Sequence, residues 1–383
     1  MLAGSLFGLA LGEELWQAYI PAFLTALGAS GLVVGLFASS KDLLDSLYQY
    51  PGGWLADRLG LRRALMLFTA LAAVGYTVYA TAPAWPIVFL GLLGVMAWKA
   101  GAFPLTFAIV GDALPSHRRA QAFAVQSIIV RVPRVISAPA GGAIIAAAGI
   151  VAGVQLASAV TAAIAVGVFA GQYWYFKDRR IQTPAPAAAK TAGSGRMHPD
   201  MRQLLIADCL VRIGEGLAAS FIVLYVTQVA QRPVAEYGLL YALQQAIAIA
   251  GYLPGARLAS VTGRRPVVAL TFVFFAAFPV AVRFATGSVG LIAAFVVGGL
   301  KELGEPARKS LIVDLSPDDR RASSVGSYYT IRNLVIVPAG VVGGLLWQRA
   351  PHLPLEAAGV VGLLGVIVFL TTGGTKVPAS AGR

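Results

Sequence analysis

Residues 52–82 read GGWLADRLGLRRALMLFTALAAVGYTVYATA, and this stretch decides the fold class. Its first part gathers Asp57, Arg58, Arg62 and Arg63 into a short polar turn, whereas 64–82 carries no charged side chain. That run is close to the roughly 20 residues a helix needs to cross a bilayer. Strands of a membrane barrel alternate polar and apolar residues, and this run does not. The same unbroken character returns at 150–170 and 357–372. Over 383 residues, 57% are hydrophobic and 12% charged, against about 45–50% and about 25% in soluble domains. A water-soluble fold cannot hide so much apolar surface, so lipid is the solvent for most of it. A chain in lipid must satisfy its own backbone groups, and helices do so within each segment. The sequence therefore predicts an all-α polytopic membrane protein.

Working outward from 64–82, twelve transmembrane helices fall at 2–27, 32–55, 64–82, 86–112, 120–147, 151–175, 203–229, 234–256, 266–285, 288–313, 322–347 and 354–372. Residues 177–202, with Pro184, Pro186, an alanine run and Gly193-Ser194-Gly195, read as a flexible cytoplasmic linker. They divide an N-terminal six-helix bundle, 1–176, from a C-terminal one, 203–383. The first segment continues past Glu13 to Leu24 without a small-residue cleavage site, so it reads as a helix rather than a signal peptide.

The net charge of +13 follows the topology. Basic residues concentrate in every second connection: Arg58, Arg62 and Arg63; Arg118 and Arg119; Lys177, Arg179 and Arg180; Arg264 and Arg265; Arg320 and Arg321. By the positive-inside rule these connections and both termini face the cytoplasm of a cell inner membrane. Charge so distributed is a membrane signal and excludes a nucleic-acid footprint. Cys209 stands alone, and His117, His198 and His352 have no ligand-like spacing, so neither a metal nor a cofactor is expected. No His-Glu-x-x-His or nucleophile-elbow motif points to an enzyme.

The halves are related at an offset of about 202 residues: Lys99 and Pro104 recur as Lys301 and Pro306. Asp112, Pro115 and Arg118-Arg119-Ala120 recur as Asp314, Pro317 and Arg320-Arg321-Ala322, and Gly12-Glu13 recurs as Gly214-Glu215. Shared leucine means little in a membrane protein, but shared intramembrane lysine and glutamate are hard to obtain by chance. A duplicated six-helix unit is a transporter architecture, with substrate held near the midplane where the halves meet.

The stretch Gly53-Trp54-Leu55-Ala56-Asp57-Arg58-Leu59-Gly60-Leu61-Arg62-Arg63 resembles the signature loop of the major facilitator superfamily, with a weaker copy at 255–263 that has Ser260 in place of the aspartate. The resemblance implies two pseudo-symmetric six-helix bundles and a gating latch formed by Gly53, Asp57, Arg58, Gly60 and Arg62. It also implies that helices one, four, seven and ten line a central cavity, that two, five, eight and eleven flank it, and that the rest face lipid. Two elements of proton-driven antiporters in that family are partly present: Lys99 stands where helix four usually has arginine, and Ala138-Pro139-Ala140-Gly141-Gly142 approximates the helix-five motif.

A charge at the bilayer centre costs about 2.5–3.5 kcal/mol on insertion scales, so each one requires a partner or a watery cavity. Glu13, Lys99, Arg131, Arg134, Glu215, Lys301, Glu302, Glu305 and Arg332 are the candidate substrate or ion-coupling residues. Residues three or four apart share a helix face, which allows Lys41 with Asp45, Asp208 with Arg212 and Lys301 with Glu305 to pair, as structural neutralisation or as function. Glu13 and Glu14 diverge, and the match to Glu215 favours Glu13 as the cavity-facing one. The cations suggest a small-molecule substrate with an anionic group; the glutamates admit a zwitterion or amphiphile, and a carboxylate that gains and loses a proton. The expectation is a monomeric secondary active transporter surrounded by lipid, exporting such a compound by antiport with protons. Proton-coupled uptake, passive uniport and a non-transporting sensor or scaffold on the same fold are the alternatives.

Overall fold

The computed structural model describes residues 2–59, 61–98, 116–175, 199–316 and 321–371. Its elements follow the expected spans in order. Span two is Gly31–Leu59, span three Leu61–Thr81 and span five Ser116–Ala148. Span six is Ile150–Tyr175, span eight Val234–Thr262, span nine Arg264–Phe284 and span twelve Leu353–Thr371. The described part of span four is Trp85–Trp98. Span seven begins at Pro199, inside the linker expected for 177–202, and ends in a π-helical turn, Tyr225–Val229. Among the described residues, seven helices are long and apolar enough to cross a membrane on those criteria alone. Spans two and five, of 29 and 33 residues, have the length but carry ionic side chains within it.

Three spans are broken where the sequence predicts continuous helices. Span one is Leu2–Glu13, a 3-10 turn at Gln17–Tyr19, and Ile20–Ala26. Span ten is Gly287–Leu300 and Glu305–Asp314, and span eleven Arg321–Ile336 and Ala339–Arg349. Proline supplies the cause in each: Pro21, Pro306 and Pro338 stand at or just before the second helix, where a missing N–H costs nothing. The breaks tighten into i to i+3 hydrogen bonds, as from Trp16 N–H to the Glu13 carbonyl at 3.2 Å and from Leu303 N–H to the Leu300 carbonyl at 3.0 Å. Pro133 and Pro139 stay inside one continuous helix.

Glycine seals the two halves together at one end of the bundle. Gly35 and Gly340 face each other so closely that a Cβ on Gly340 would stand 2.7 Å from the Gly35 carbonyl oxygen. Gly344 meets Gly31, and Gly238 of span eight lies against the Ala138 carbonyl of span five. Small residues let membrane helices approach to backbone contact, which is where their dispersion energy comes from. The break before Ala339 leaves the N–H of Val341 without a helical partner, and Ser39 Oγ accepts it at 3.1 Å across the interface. This sealed end carries the connection at Gly28, whose φ of +87° closes span one in a Schellman turn: Ala29 N–H bonds the Leu24 carbonyl at 2.9 Å.

Candidate functional site

A cavity of about 360 Å³ lies between the halves. Span five contributes Arg131 and Arg134, span two Lys41 and Asp42, span seven Glu215, and the broken turn of span ten Lys301 and Glu302. Aromatic rings cover much of the remaining wall, among them Trp16, Tyr237, Tyr241 and Phe295. Spans three and nine, expected to face lipid only, also reach the cavity through Tyr79, Phe275 and Phe278. The breaks in spans one and ten explain the difference, since unwound turns leave gaps that rings from behind can fill.

Most of the charges are committed to partners. Arg131 donates from Nε to Tyr252 Oη at 2.7 Å, from Nη1 to Gln245 Oε1 at 2.8 Å, and pairs through Nη2 with Glu302 at 2.9 Å. Arg134 Nε donates to Glu14 Oε1 at 2.9 Å. Lys301 Nζ bonds Glu215 Oε1 at 2.6 Å, and Arg212 Nη1 bonds Glu215 Oε2 at 2.7 Å. Lys41 and Asp42 differ: no hydrogen bond or ion pair within 4 Å joins either side chain to the described residues.

Below the cavity, away from the glycine seal, a second network fills the C-terminal half. Asp208 is wholly buried and accepts from Arg308 Nη1 at 2.6 Å and Tyr328 Oη at 2.9 Å, with Arg332 Nη1 at 3.6 Å and Arg212 Nε at 3.9 Å. Glu305 pairs with Arg308, with Arg212 at 3.8 Å and with the half-exposed Lys309 at 3.4 Å. Arg212 thus links the cavity carboxylate Glu215 to this lower cluster. Among the described residues no group of three or more His, Cys, Asp or Glu side chains is placed to hold a metal ion.

The family model described as the Major Facilitator Superfamily matches residues 2–203 and again 204–382. The chain belongs to the Major Facilitator Superfamily. It is accordingly a multi-pass, membrane-embedded protein of the superfamily's twelve-helix, two-bundle fold. Among curated proteins, an uncharacterized MFS-type transporter of Methanocaldococcus jannaschii is 24% identical over 119 residues, 31% of this chain and 30% of the relative. The quinolone resistance protein NorA of Staphylococcus aureus is 27% identical over 140 residues, 36% of each chain. The match thus spans about a third of the length of these relatives. Superfamily folds in solved structures agree over nearly the whole chain. A bacterial homolog of the human lysosomal transporter Spinster has a TM-score of 0.76 at 16% identity, covering 96% of this chain and 94% of that one. The nucleoside transporter NupG has 0.74 at 13% identity, covering 96% of both.

Within this superfamily frame, five of the nine residues singled out from sequence line the cavity: Arg131, Arg134, Glu215, Lys301 and Glu302. Glu305 and Arg332 fall in the lower network instead. Glu13 does not line the cavity: it is buried and accepts from Tyr76 Oη at 2.5 Å, in the interior of the N-terminal half. Unwinding begins directly after Glu13, which turns Glu14 towards Arg134. Lys301 reaches Glu215 rather than Glu305, because 301–304 is not helical and the i, i+4 geometry is lost. Lys41 and Asp45 form no ion pair within 4 Å, whereas Asp208 and Arg212 face each other as expected. Lys99 and Gly60 lie outside the described residues, as do the surroundings of Gly53, Asp57 and Arg62; Arg58 is exposed at the end of span two. Tyr76, Tyr252, Phe275 and Phe278 escape a reading by charge, since each is an uncharged partner; Gln245, an amide inside an apolar span, is the visible signal for the Arg131 cradle.

Proposed function

We propose that this protein is a secondary active transporter that exports an amphiphilic organic anion or zwitterion by alternating access, in exchange for protons. What carries this reading is the cavity between the halves, aromatic on much of its wall and holding Lys41, Asp42 and the outer nitrogens of Arg134 without protein partners among the described residues. Rings suit a planar or apolar body, and the cations suit a carboxylate or phosphate-like group. Asp42 adds room for a basic group. Export draws support from the partial match to a protein named for quinolone resistance and from the antiporter-like elements around Lys99 and 138–142. The bundles 1–176 and 203–383 would rock about the cavity in a cell inner membrane, with the basic connections and termini in the cytoplasm.

Purified protein in proteoliposomes with a trapped pH dye tests the reading. Addition of aromatic carboxylates or zwitterionic amino acids against an imposed pH gradient is expected to move protons opposite to the solute. Solute flux indifferent to the gradient would assign passive uniport instead.

A further inference from the structure

Among the described residues, Arg131–Glu302 is the one ion pair that joins the two halves of the molecule. Its position and its surroundings make it more than a brace. Glu302 stands on the non-helical turn 301–304, where no helical ladder fixes it, and that salt bridge is its only described polar side-chain contact. Arg131, by contrast, is oriented without Glu302: Tyr252 holds Nε and Gln245 holds Nη1, both from span eight. Arg134, one turn further along span five, uses Nε on Glu14 and has no other described hydrogen bond. Two guanidinium groups on one helix face thus border the cavity, each paired with a carboxylate on an unwound turn, Arg134 with Glu14 of its own half and Arg131 with Glu302 of the other.

We propose that Arg131 and Arg134 form an anion subsite whose resident occupant is Glu302, and that the anionic group of the substrate displaces it. This rests on the transport reading above and deepens it. In the empty protein Glu302 closes the subsite and ties the halves together on the side of the cavity away from the glycine seal. A carboxylate or sulfonate that takes Arg131 releases Glu302 and with it the tie, so substrate chemistry and the opening of that end are one event. The sign of the effect is distinctive. Glu302 competes with an anion for the same donors, so its removal strengthens anion binding, whereas a residue that contacts substrate directly weakens binding when removed.

Benzoate, benzenesulfonate and benzylammonium serve as probes, with sodium chloride at equal ionic strength as control, read by thermal stabilisation of detergent-purified protein. Glu302→Gln is expected to lower the half-saturating benzoate concentration about tenfold, the result of removing a competitor that fills the subsite about 90% of the time. Arg131→Gln is expected to abolish the effect, and Glu302→Asp, which keeps the charge, to fall between. A second readout needs no ligand. Spin labels at Leu59→Cys and Val261→Cys in a Cys209→Ala background sit on exposed positions of opposite halves at the end away from the seal. Glu302→Gln, Arg131→Gln and, in the unaltered pair, benzoate are each expected to shift their distance distribution to longer values. Benzoate binding that is unchanged or weaker in Glu302→Gln overturns the subsite, as does failure of that variant to bind it at all. A distribution that no variant and no bound probe moves, with the affinity order intact, counts against alternating access and leaves the subsite standing.

Discussion

Lys301 Nζ lies 2.6 Å from Glu215 Oε1 and sits over the rings of Phe275 and Phe278, 5.0 and 5.5 Å from their centroids. One cation in the broken turn of span ten is thereby saturated by spans seven and nine, while its neighbour Glu302 turns to the opposite half. Removing Glu215 strands Lys301, whose one described ionic partner it is, at a cost of about 3–5 kcal/mol in a dry interior and less beside a wet cavity, whereas removing Lys301 leaves Glu215 with Arg212. Glu215→Gln alone is expected to lower Tm clearly, and Lys301→Met alone by less. Adding Lys301→Met to Glu215→Gln should recover part of that loss, because the stranded ammonium is gone while Arg212 keeps Asp208 and Glu305 nearby. Differential scanning fluorimetry of the two single variants and the double variant checks this, and a strictly additive loss would contradict it.

Among the described residues, Asp208 and Arg308 are the most deeply buried ionic pair, at 0% and 1% side-chain exposure. Arg308 keeps its Nε without a partner even so. Asp208→Asn is expected to be the most destabilising substitution in the lower network, about 3–5 kcal/mol, since it leaves Arg308 in the interior with Glu305 as its one remaining carboxylate partner among the described residues. Lys309, 52% exposed on the same cluster, makes a surface pair worth about 0–1 kcal/mol, so Lys309→Ala should be silent. Fluorescence-detected size exclusion after heating separates the two outcomes.

The class of the protein and the inventory of its charged site are legible in the sequence because both depend on residue type alone: apolar runs of bilayer length, and ionic residues too costly to leave in lipid. Which residues meet is less legible, for a specific reason. Pairing by helical spacing assumes an intact helix, and the helices unwind at 14–16 and 301–304, where Glu14 and Lys301 make their contacts. Pro306 and Pro338 mark breaks, yet Pro133 and Pro139 look the same in sequence and lie in a continuous helix, because neighbouring helices decide whether a proline bends or breaks a span. The Arg131–Glu302 bridge joins residues from different halves, beyond the reach of any local rule.

The glycine seal gives an expectation for conformation. A Cβ on Gly340 would lie 2.7 Å from the Gly35 carbonyl oxygen, 2.9 Å from Ser39 Oγ and 3.0 Å from Ala38 Cβ, so Gly340→Ala must push spans two and eleven apart. The hydrogen bond from Val341 N–H to Ser39 Oγ breaks with it, a loss of about 0.5–1.5 kcal/mol. The variant is expected to depopulate the state sealed at that end and to make Lys41→Cys, on the cavity wall, more reactive to a membrane-impermeant maleimide added from the sealed side. Ser39→Ala, which removes the hydrogen bond without the clash, should give the same direction at smaller amplitude. Unchanged labelling in Gly340→Ala would mean that the seal is not what holds this end shut.

The two adjacent glutamates of span one meet different partners. Glu13 accepts from Tyr76 inside the N-terminal half, next to Trp16 of the cavity wall, whose Nε1 donates to Thr161 Oγ1 at 3.0 Å, and does not itself line the cavity. Glu14 holds Arg134, a cavity residue. Glu14→Gln removes the charge that positions Arg134 and should change anionic-probe affinity, with some loss of Tm because Arg134 has no other described partner. Tyr76→Phe removes a donor from a buried carboxylate and should cost about 1–3 kcal/mol while leaving probe affinity intact. Glu13→Gln, which still accepts from Tyr76, is expected to retain most of the stability that Tyr76→Phe loses. Equal changes of probe affinity in the Glu13 and Glu14 variants would return Glu13 to the binding site, against its position in the fold.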